Sequence, residues 1–268
     1  MSHHGHGSGI ASAAKAHRIL RFVLVGSPNC GKTTLFNALT GLRAKTGNYP
    51  GVTVARYEGR HRVGDADVII EDLPGAYSLE AISPDEEVVS RVLGDGISVG
   101  SPISGQIVLL DATSLRRSLN LLSHVQQVPR PTLVVLTFTD ELARRGGSVD
   151  IKALSRALGV RVIPIVAGDR AGVEELSEAL SEVDSWPAPV VAPPIGQSDV
   201  FSWSASVLEA AHYQAAGTDR RSHGIDRVLL HPLWGTLVFF ATMFAFFQII
   251  FTVAAPINDA FEGFFVWL

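Results

Sequence analysis

Gly26-Ser27-Pro28-Asn29-Cys30-Gly31-Lys32-Thr33 reads G-x-x-x-x-G-K-[ST] without a mismatch. Glycines at that spacing let the backbone curl until successive N–H groups point inward, which makes a concave site for phosphate oxygens. Lys32 adds a positive charge for the β- and γ-phosphates of a nucleotide. Thr33 offers a hydroxyl to a Mg²⁺ ion that takes its other ligands from phosphate and water. The binding candidates of this P-loop are Gly26, Asn29, Cys30, Gly31, Lys32, Thr33 and the adjoining Thr34.

A second element, Asp72-Leu73-Pro74-Gly75, has the D-x-x-G form in which the carboxylate holds Mg²⁺ through water and the glycine N–H senses the γ-phosphate. Between the two lies Gly47-Asn48-Tyr49-Pro50-Gly51-Val52-Thr53, turn-rich and expected to be flexible until a ligand orders it. Thr53 is the candidate switch threonine, set against an ordinary β-strand threonine. Lys32, Thr53 and Gly75 are thus the catalytic candidates, and Thr33, Thr53 and Asp72 the Mg²⁺ ligands.

These groups act together only if the chain brings them to one edge. Ile19 to Val25 is an apolar run that ends at Gly26, and Lys32 to Leu39 has a helical pattern, giving strand, glycine-rich loop and helix. Thr53 to Arg62 alternates, and Val68 to Ile70 follows a turn at Gly64-Asp65, so these two strands form a hairpin and one strand of the sheet is antiparallel. Ile107 to Leu110, Leu133 to Leu136 and Val160 to Ile165 are further buried strands, alternating with helical patterns at Leu115 to Gln127 and Val173 to Val183. That order predicts an α/β P-loop domain over residues 18–184, with a mixed, mostly parallel sheet and helices on both faces. Residues 185–199 are proline-rich and read as a linker. Residues 200–231 form a short helical segment whose stripe of Val200, Trp203, Val207, Leu208 and Ala211 names no partner surface.

The ends differ from the middle. Residues 1–17 are rich in Gly, Ser, Ala and His, lack an apolar core, and are expected to be a disordered lead-in rather than a secretory signal. His3, His4 and His6 there read as a solvated tail in preference to a metal site. Between Pro232 and Pro256, about 23 residues from Leu233 to Ala255 carry no charge, enough to cross a hydrocarbon layer of about 30 Å. Residues 232–256 are therefore read as a transmembrane helix and 257–268 as a tail beyond it. Arg220, Arg221 and Arg227 precede the helix while Asp259 and Glu262 follow it, which places the N-terminal domain in the cytoplasm. A net charge of -4 over 268 residues argues against a nucleic-acid partner. The single cysteine excludes an internal disulfide and fits a reducing compartment.

Gly26 to Asn37, Asn48 to Val54 and Asp72 to Leu79 together resemble the ferrous-iron transport protein B (FeoB) family. Ile225 to Gly235 is similar to that family's entry into its membrane domain. The resemblance implies GTP and GDP as nucleotides, Mg²⁺ as cofactor, and ferrous-iron uptake at a bacterial cytoplasmic (inner) membrane. It also implies that Asn29 ligates a K⁺ ion that stands in for an arginine finger. Loop capping is the plainer role for Asn29.

Departures from the family pattern bear on each of these. The base-recognition element N-x-x-D reads Thr137-Phe138-Thr139-Asp140, so Asp140 keeps its contact with guanine while Thr137 loses an amide contact, and weaker affinity is expected. In Ile165-Val166-Ala167-Gly168, Val166 replaces the usual serine and Ala167 is kept beside the base. Ala76 follows Gly75 where signalling GTPases have a water-orienting glutamine, so slow intrinsic hydrolysis is expected. The helical region that restrains nucleotide release is reduced. One membrane helix cannot enclose a pathway for Fe²⁺, which makes the chain a fragment or a split half needing a multi-span permease. The expected partners are guanine nucleotide, membrane lipid and that permease, with homo-oligomers left open. The rival reading is a membrane-anchored regulatory GTPase without a transport role.

Overall fold

The computed structural model describes residues 18–42, 44–49, 52–64, 66–78, 83–98, 101–166, 168–187, 192–194, 196–217 and 229–267, with no side chains at 97–98 or 253–267. The histidine-bearing lead-in, Pro50-Gly51, Asp65, Leu79, Ala167, Arg220, Arg221 and Arg227 lie outside them. The chain divides into two compact units, the first ending at Ala216 and the second beginning at Gly217.

The first unit is built on a seven-stranded sheet. Its strands are β1 (Arg18–Gly26), β2 (Ala44–Asn48), β3 (Ala55–Val63), β4 (Ala66–Asp72), β7 (Gly105–Asp111), β8 (Thr132–Thr137) and β9 (Arg161–Ile165), in the spatial order β2-β3-β4-β1-β7-β8-β9. A separate ribbon pairs β5 (Ile97–Ser98) with β6 (Ser101–Pro102). The pairs from β4 through β1, β7 and β8 to β9 are parallel, while β3 is antiparallel to both its neighbours. β3 is therefore the strand of opposite sense, as its hairpin with β4 predicts.

Parallel strands covered on both faces are apolar along their length, and Phe22, Val23, Leu24 and Val25 are all fully buried. Successive side chains go to opposite faces. Phe22 and Leu24 pack with α1 (Lys32–Thr40) and α6 (Arg170–Ser181), whereas Val23 and Val25 pack with α2 (Pro84–Asp95), α3 (Leu115–Val125) and α5 (Ile151–Leu158).

Three expectations are corrected here. Gly47 and Asn48 belong to β2, which pairs from Ala44 opposite Gly59 to Asn48 opposite Ala55. The loop that follows is closed by Tyr49 N–H donating to Val54 O at 3.1 Å and Val52 N–H donating to Tyr49 O at 3.3 Å. Backbone pairing thus organises much of the segment read as flexible.

The second correction concerns the domain boundary at 184. Trp186 donates its indole N–H to Ala179 O at 2.9 Å and its ring lies 5.4 Å from that of Phe22. Gln127 Nε2 donates to Pro193 O at 2.6 Å, so Pro193, within the stretch read as a linker, is bonded to the domain. Beyond it, α7 (Gln197–Ala210) starts earlier and stops sooner than its sequence pattern suggests, and packs on α3 and α5. Val200, Val207, Leu208 and Ala211 are buried there and Trp203 is partly so, which gives the orphan stripe its surface. Paired bonds between Ser148 and Gln214 tie the chain beyond α7 to the same unit.

Thirdly, α8 (Pro232–Trp267) of the second unit continues through Pro256. A proline removes one helical hydrogen bond, a loss that apolar helices tolerate. Pro232–Thr252 spans 21 residues with a mean hydropathy of 1.9 and none of it buried. At 1.5 Å per residue that stretch is roughly 31 Å long, so the helix is long and apolar enough to cross a membrane.

Candidate nucleotide site

β1 delivers the P-loop to the sheet's edge, and two left-handed residues turn it. Asn29 has φ 63° and Gly31 φ 87°. Glycine adopts this region without cost and asparagine tolerates it better than most residues, so the exposed Asn29 has a conformational reason to be there whatever its ligand. Cys30 is 1% exposed, and burial pushes its thiol up to about 11. It is a neutral filler of the loop interior, available to a ligand through its backbone.

The parallel register sets Leu24 beside Asp72. That placement lets Lys32, from the first turn of α1, donate its ammonium to Asp72 Oδ1 and to Leu73 O, both at 2.5 Å. Asp72 is 6% exposed, and burial raises its carboxyl pKa against the opposing pull of Lys32. The chain then crosses β1 toward the P-loop, with Leu73 N–H donating to Leu24 O at 3.1 Å and Ala76 N–H to Gly26 O at 3.2 Å. At Gly75 a Cβ would lie 3.0–3.2 Å from Pro28 side-chain and backbone atoms, so a larger residue would have to push this segment or the loop aside by a few tenths of an ångström.

Together these pieces enclose a cleft of about 570 Å³ whose walls include Asn29, Gly31, Lys32, Thr33, Thr34 and Gly75. Two further walls, Asp85 and Phe138, escaped the sequence reading. Asp85 lies in the first turn of α2, where Ser83 caps the helix by accepting from Glu86 N–H at 3.2 Å. The run Ser83-Pro84-Asp85-Glu86 was a legible helix start, but not its distance from the P-loop. Thr53 is exposed in the 49–54 loop and is not a wall of the cleft. That loop is held from behind: Tyr49, 5% exposed, donates its hydroxyl to Glu71 Oε1 at 2.7 Å, and burial with Glu71 raises its phenol pKa. Arg21 reaches Glu71 at 3.3 Å and Glu58 at 3.2 Å.

Beside the cleft lies a smaller cavity of about 100 Å³, walled by Gly31, Thr34, Leu35, Thr137, Phe138 and Val166 among others. Thr137, at the end of β8, has its hydroxyl 2.9 Å from Cys30 O and 3.2 Å from Leu110 O, so it donates to the P-loop. Asp140 is exposed in the first turn of α4 (Thr139–Arg144). The P-loop, Asp72, Gly75, Thr137 and Val166 are thus gathered at one edge of the sheet.

Comparisons with known proteins match this geometry. The family model described as ferrous iron transport protein B matches residues 20–180. The chain is 41% identical over 163 residues to the Fe(2+) transporter FeoB of Leptospira biflexa, covering 61% of this chain and 23% of that protein. It is 30% identical over 258 residues to the Fe(2+) transporter FeoB of Synechocystis, covering 92% and 41%. The chain therefore spans between about a fifth and two fifths of the length of these relatives. Among solved structures, the cytosolic domain of L. pneumophila FeoB shares 36% identity at a TM-score of 0.59, covering 66% of this chain and 68% of that one. The G domain of T. maritima FeoB shares 32% identity at a TM-score of 0.57, covering 63% and 100%. A point mutant of S. thermophilus NFeoB, bound to GDP, shares 32% identity at a TM-score of 0.57, covering 66% of each chain. The stretch matched by the family model, residues 20–180, accordingly carries a P-loop GTPase fold, and the chain belongs to the ferrous iron transport protein B (FeoB) family.

Proposed function

We propose that this chain binds GTP and GDP and hydrolyses GTP slowly on the cytoplasmic side of a bacterial inner membrane, as the switch of a ferrous-iron uptake system. A multi-span permease, in the same or another polypeptide, supplies the iron pathway, because a lone helix cannot shield a divalent ion from lipid. The observation that supports this reading best is the 2.5 Å contact between Lys32, in the wall of the P-loop cleft, and the Asp72 carboxylate: a cation suited to phosphate beside an acid suited to a metal. The small cavity beside it, with Val166 in its wall and Asp140 nearby in sequence to Phe138, suits a base.

Mg²⁺ takes one or two protein oxygens and fills the rest of its octahedron from phosphate and water. Exposed Thr33 and buried Asp72 suit that role, with exposed Thr53 as the third candidate ligand. Such an ion offsets charge on the phosphates. Asp72, which Lys32 contacts at 2.5 Å, would hold such an ion through its carboxylate, and Lys32 would serve the phosphates. Ala76 has no side chain to aim water, and its N–H is engaged with Gly26 O. Backbone groups of the switch segments, Gly75 among them, must orient the water, which is why the intrinsic rate is slow.

Asn29 is the proposed K⁺ ligand. GTP turnover by the full chain, measured in K⁺ and in Na⁺ buffers of equal ionic strength, is expected to be faster in K⁺; equal rates remove that role. For transport, deletion is expected to lower cellular ferrous-iron accumulation. Unchanged accumulation favours a membrane-anchored switch that regulates other partners.

A further inference from the structure

We infer that Glu71 is a positioning residue for GTP binding: by holding the Tyr49 hydroxyl, it fixes the switch segment 49–54 to the strand that carries Asp72. The inference rests on the nucleotide reading above.

Glu71 is wholly buried and is not a wall of the cleft. It directly precedes Asp72 on β4, and successive side chains of a strand point to opposite faces. Asp72 therefore meets Lys32 while Glu71 serves the other face, where Tyr49 lies.

There its two oxygens are divided. Oε1 accepts the Tyr49 hydroxyl at 2.7 Å, and Oε2 takes Arg21 Nη1 at 3.3 Å. Arg21 is itself pinned, because its backbone N–H donates to Ser104 Oγ at 3.1 Å and its carbonyl accepts from Ser104 N–H at 2.8 Å. The same guanidinium nitrogen lies 3.2 Å from Glu58 Oε2, which in turn pairs with Arg56 at 3.3 Å. Tyr49 starts the switch segment and Arg56 lies just past its end. Both roots of the loop thus converge on one buried carboxylate and one arginine.

The register puts this frame at the nucleotide edge of the sheet. Tyr57 lies opposite Asp72 and Glu58 opposite Glu71, so β3 begins near where β4 delivers Asp72. Thr53 is exposed between the two roots. A segment this short, fixed at both ends, has few conformations that carry Thr53 away from that edge.

Packing explains the Tyr49 ring but not its hydroxyl. The ring belongs to the same core cluster as Val23, Val25 and Leu73, whereas every residue of β2 before it is exposed. Phenylalanine would fill that space equally. A hydroxyl bonded to a buried carboxylate ties the loop to a charge that moves only with its strand. Switch segments are ordered by the γ-phosphate and its metal, so the triphosphate state starts here from a segment already placed. The diphosphate state draws nothing from it.

The test compares GMPPNP, a non-hydrolysable GTP analogue, with GDP, each bound to the full chain in detergent with Mg²⁺. Tyr49→Phe keeps the ring and removes the hydroxyl. It is expected to weaken GMPPNP about threefold to tenfold and to leave GDP within about twofold. Tyr49→Phe/Glu71→Met replaces both partners by apolar groups of similar shape. It is expected to melt higher than Glu71→Met alone while GMPPNP stays weakened. Recovery of GMPPNP together with melting temperature overturns the assignment, because the bond is then merely structural. Equal losses of GMPPNP and GDP overturn it too, since the P-loop is then what moved. So does undiminished or tighter GMPPNP binding by Tyr49→Phe, which makes the hydroxyl idle or a restraint that holds Thr53 away. Failure of the unaltered chain to bind either nucleotide overturns the nucleotide reading itself and this inference with it.

Discussion

The two ends of the cleft are built in different ways. At the phosphate end, geometry comes from the main chain: left-handed Asn29 and Gly31, the parallel register that sets Leu24 beside Asp72, and Gly75 lying against Pro28. Side chains add charge there through Lys32 and Asp72. At the base end, side chains form the surface, with Thr137, Phe138 and Val166 in the wall of a small apolar cavity. A phosphate oxygen is recognised by convergent N–H groups, which few backbone paths provide. A planar base is gripped by area and by one or two edge contacts, which several residue sets provide. The first end therefore tolerates little variation and the second can drift.

The largest expected effect comes from breaking the phosphate end. Lys32→Ala is expected to lower GDP affinity by about a thousandfold or more, since charge-assisted contacts to phosphate are lost and each 1.4 kcal/mol is tenfold. It also strands the buried Asp72 carboxylate, and uncompensated charges of this kind cost on the order of 3–5 kcal/mol. The double variant Lys32→Ala/Asp72→Asn is expected to regain melting temperature without regaining GDP. If binding returns with stability, Lys32 acts on folding alone and the assignment of this end is wrong.

An intermediate effect is expected at the base edge. Asp140→Asn removes a charge-assisted acceptor worth about 1.5–3 kcal/mol, so GDP is expected to weaken about tenfold to a hundredfold while xanthosine diphosphate strengthens. Pyrophosphate affinity should not move. A parallel loss of pyrophosphate would erase the distinction between the two ends.

What could be read from the residues follows the same division. The P-loop is a local backbone instruction written in consecutive residues, and the parallel strands announce themselves as apolar runs because they are buried on both faces. β2 announces nothing, since all its residues are exposed and the ladder with β3 alone holds it. The stripe on α7 was legible as a stripe, but its address on α3 and α5 is a property of the folded chain. Likewise Thr137 looks in sequence like a lost base contact. Only the approach of β8 to the P-loop reveals its bond to Cys30 O.

That bond gives the smallest predicted effect and the sharpest test of the comparison, because Thr137 sits in the base element while its hydroxyl serves the phosphate loop. Thr137→Val keeps the volume and branching of a 7% exposed strand residue and deletes the hydroxyl. The Cys30 carbonyl then loses this partner, at a cost of roughly 1–2 kcal/mol, or about 3–6 °C in melting temperature for a unit of this size. Pyrophosphate and GDP are both expected to weaken by a similar factor, about threefold to tenfold, since the loosened P-loop meets both ligands. Loss confined to GDP would instead make Thr137 a base contact and return the tether to a passive role. Thr137→Ser, which keeps the hydroxyl and drops the methyl, separates the two: it should hold pyrophosphate affinity near that of the unaltered chain.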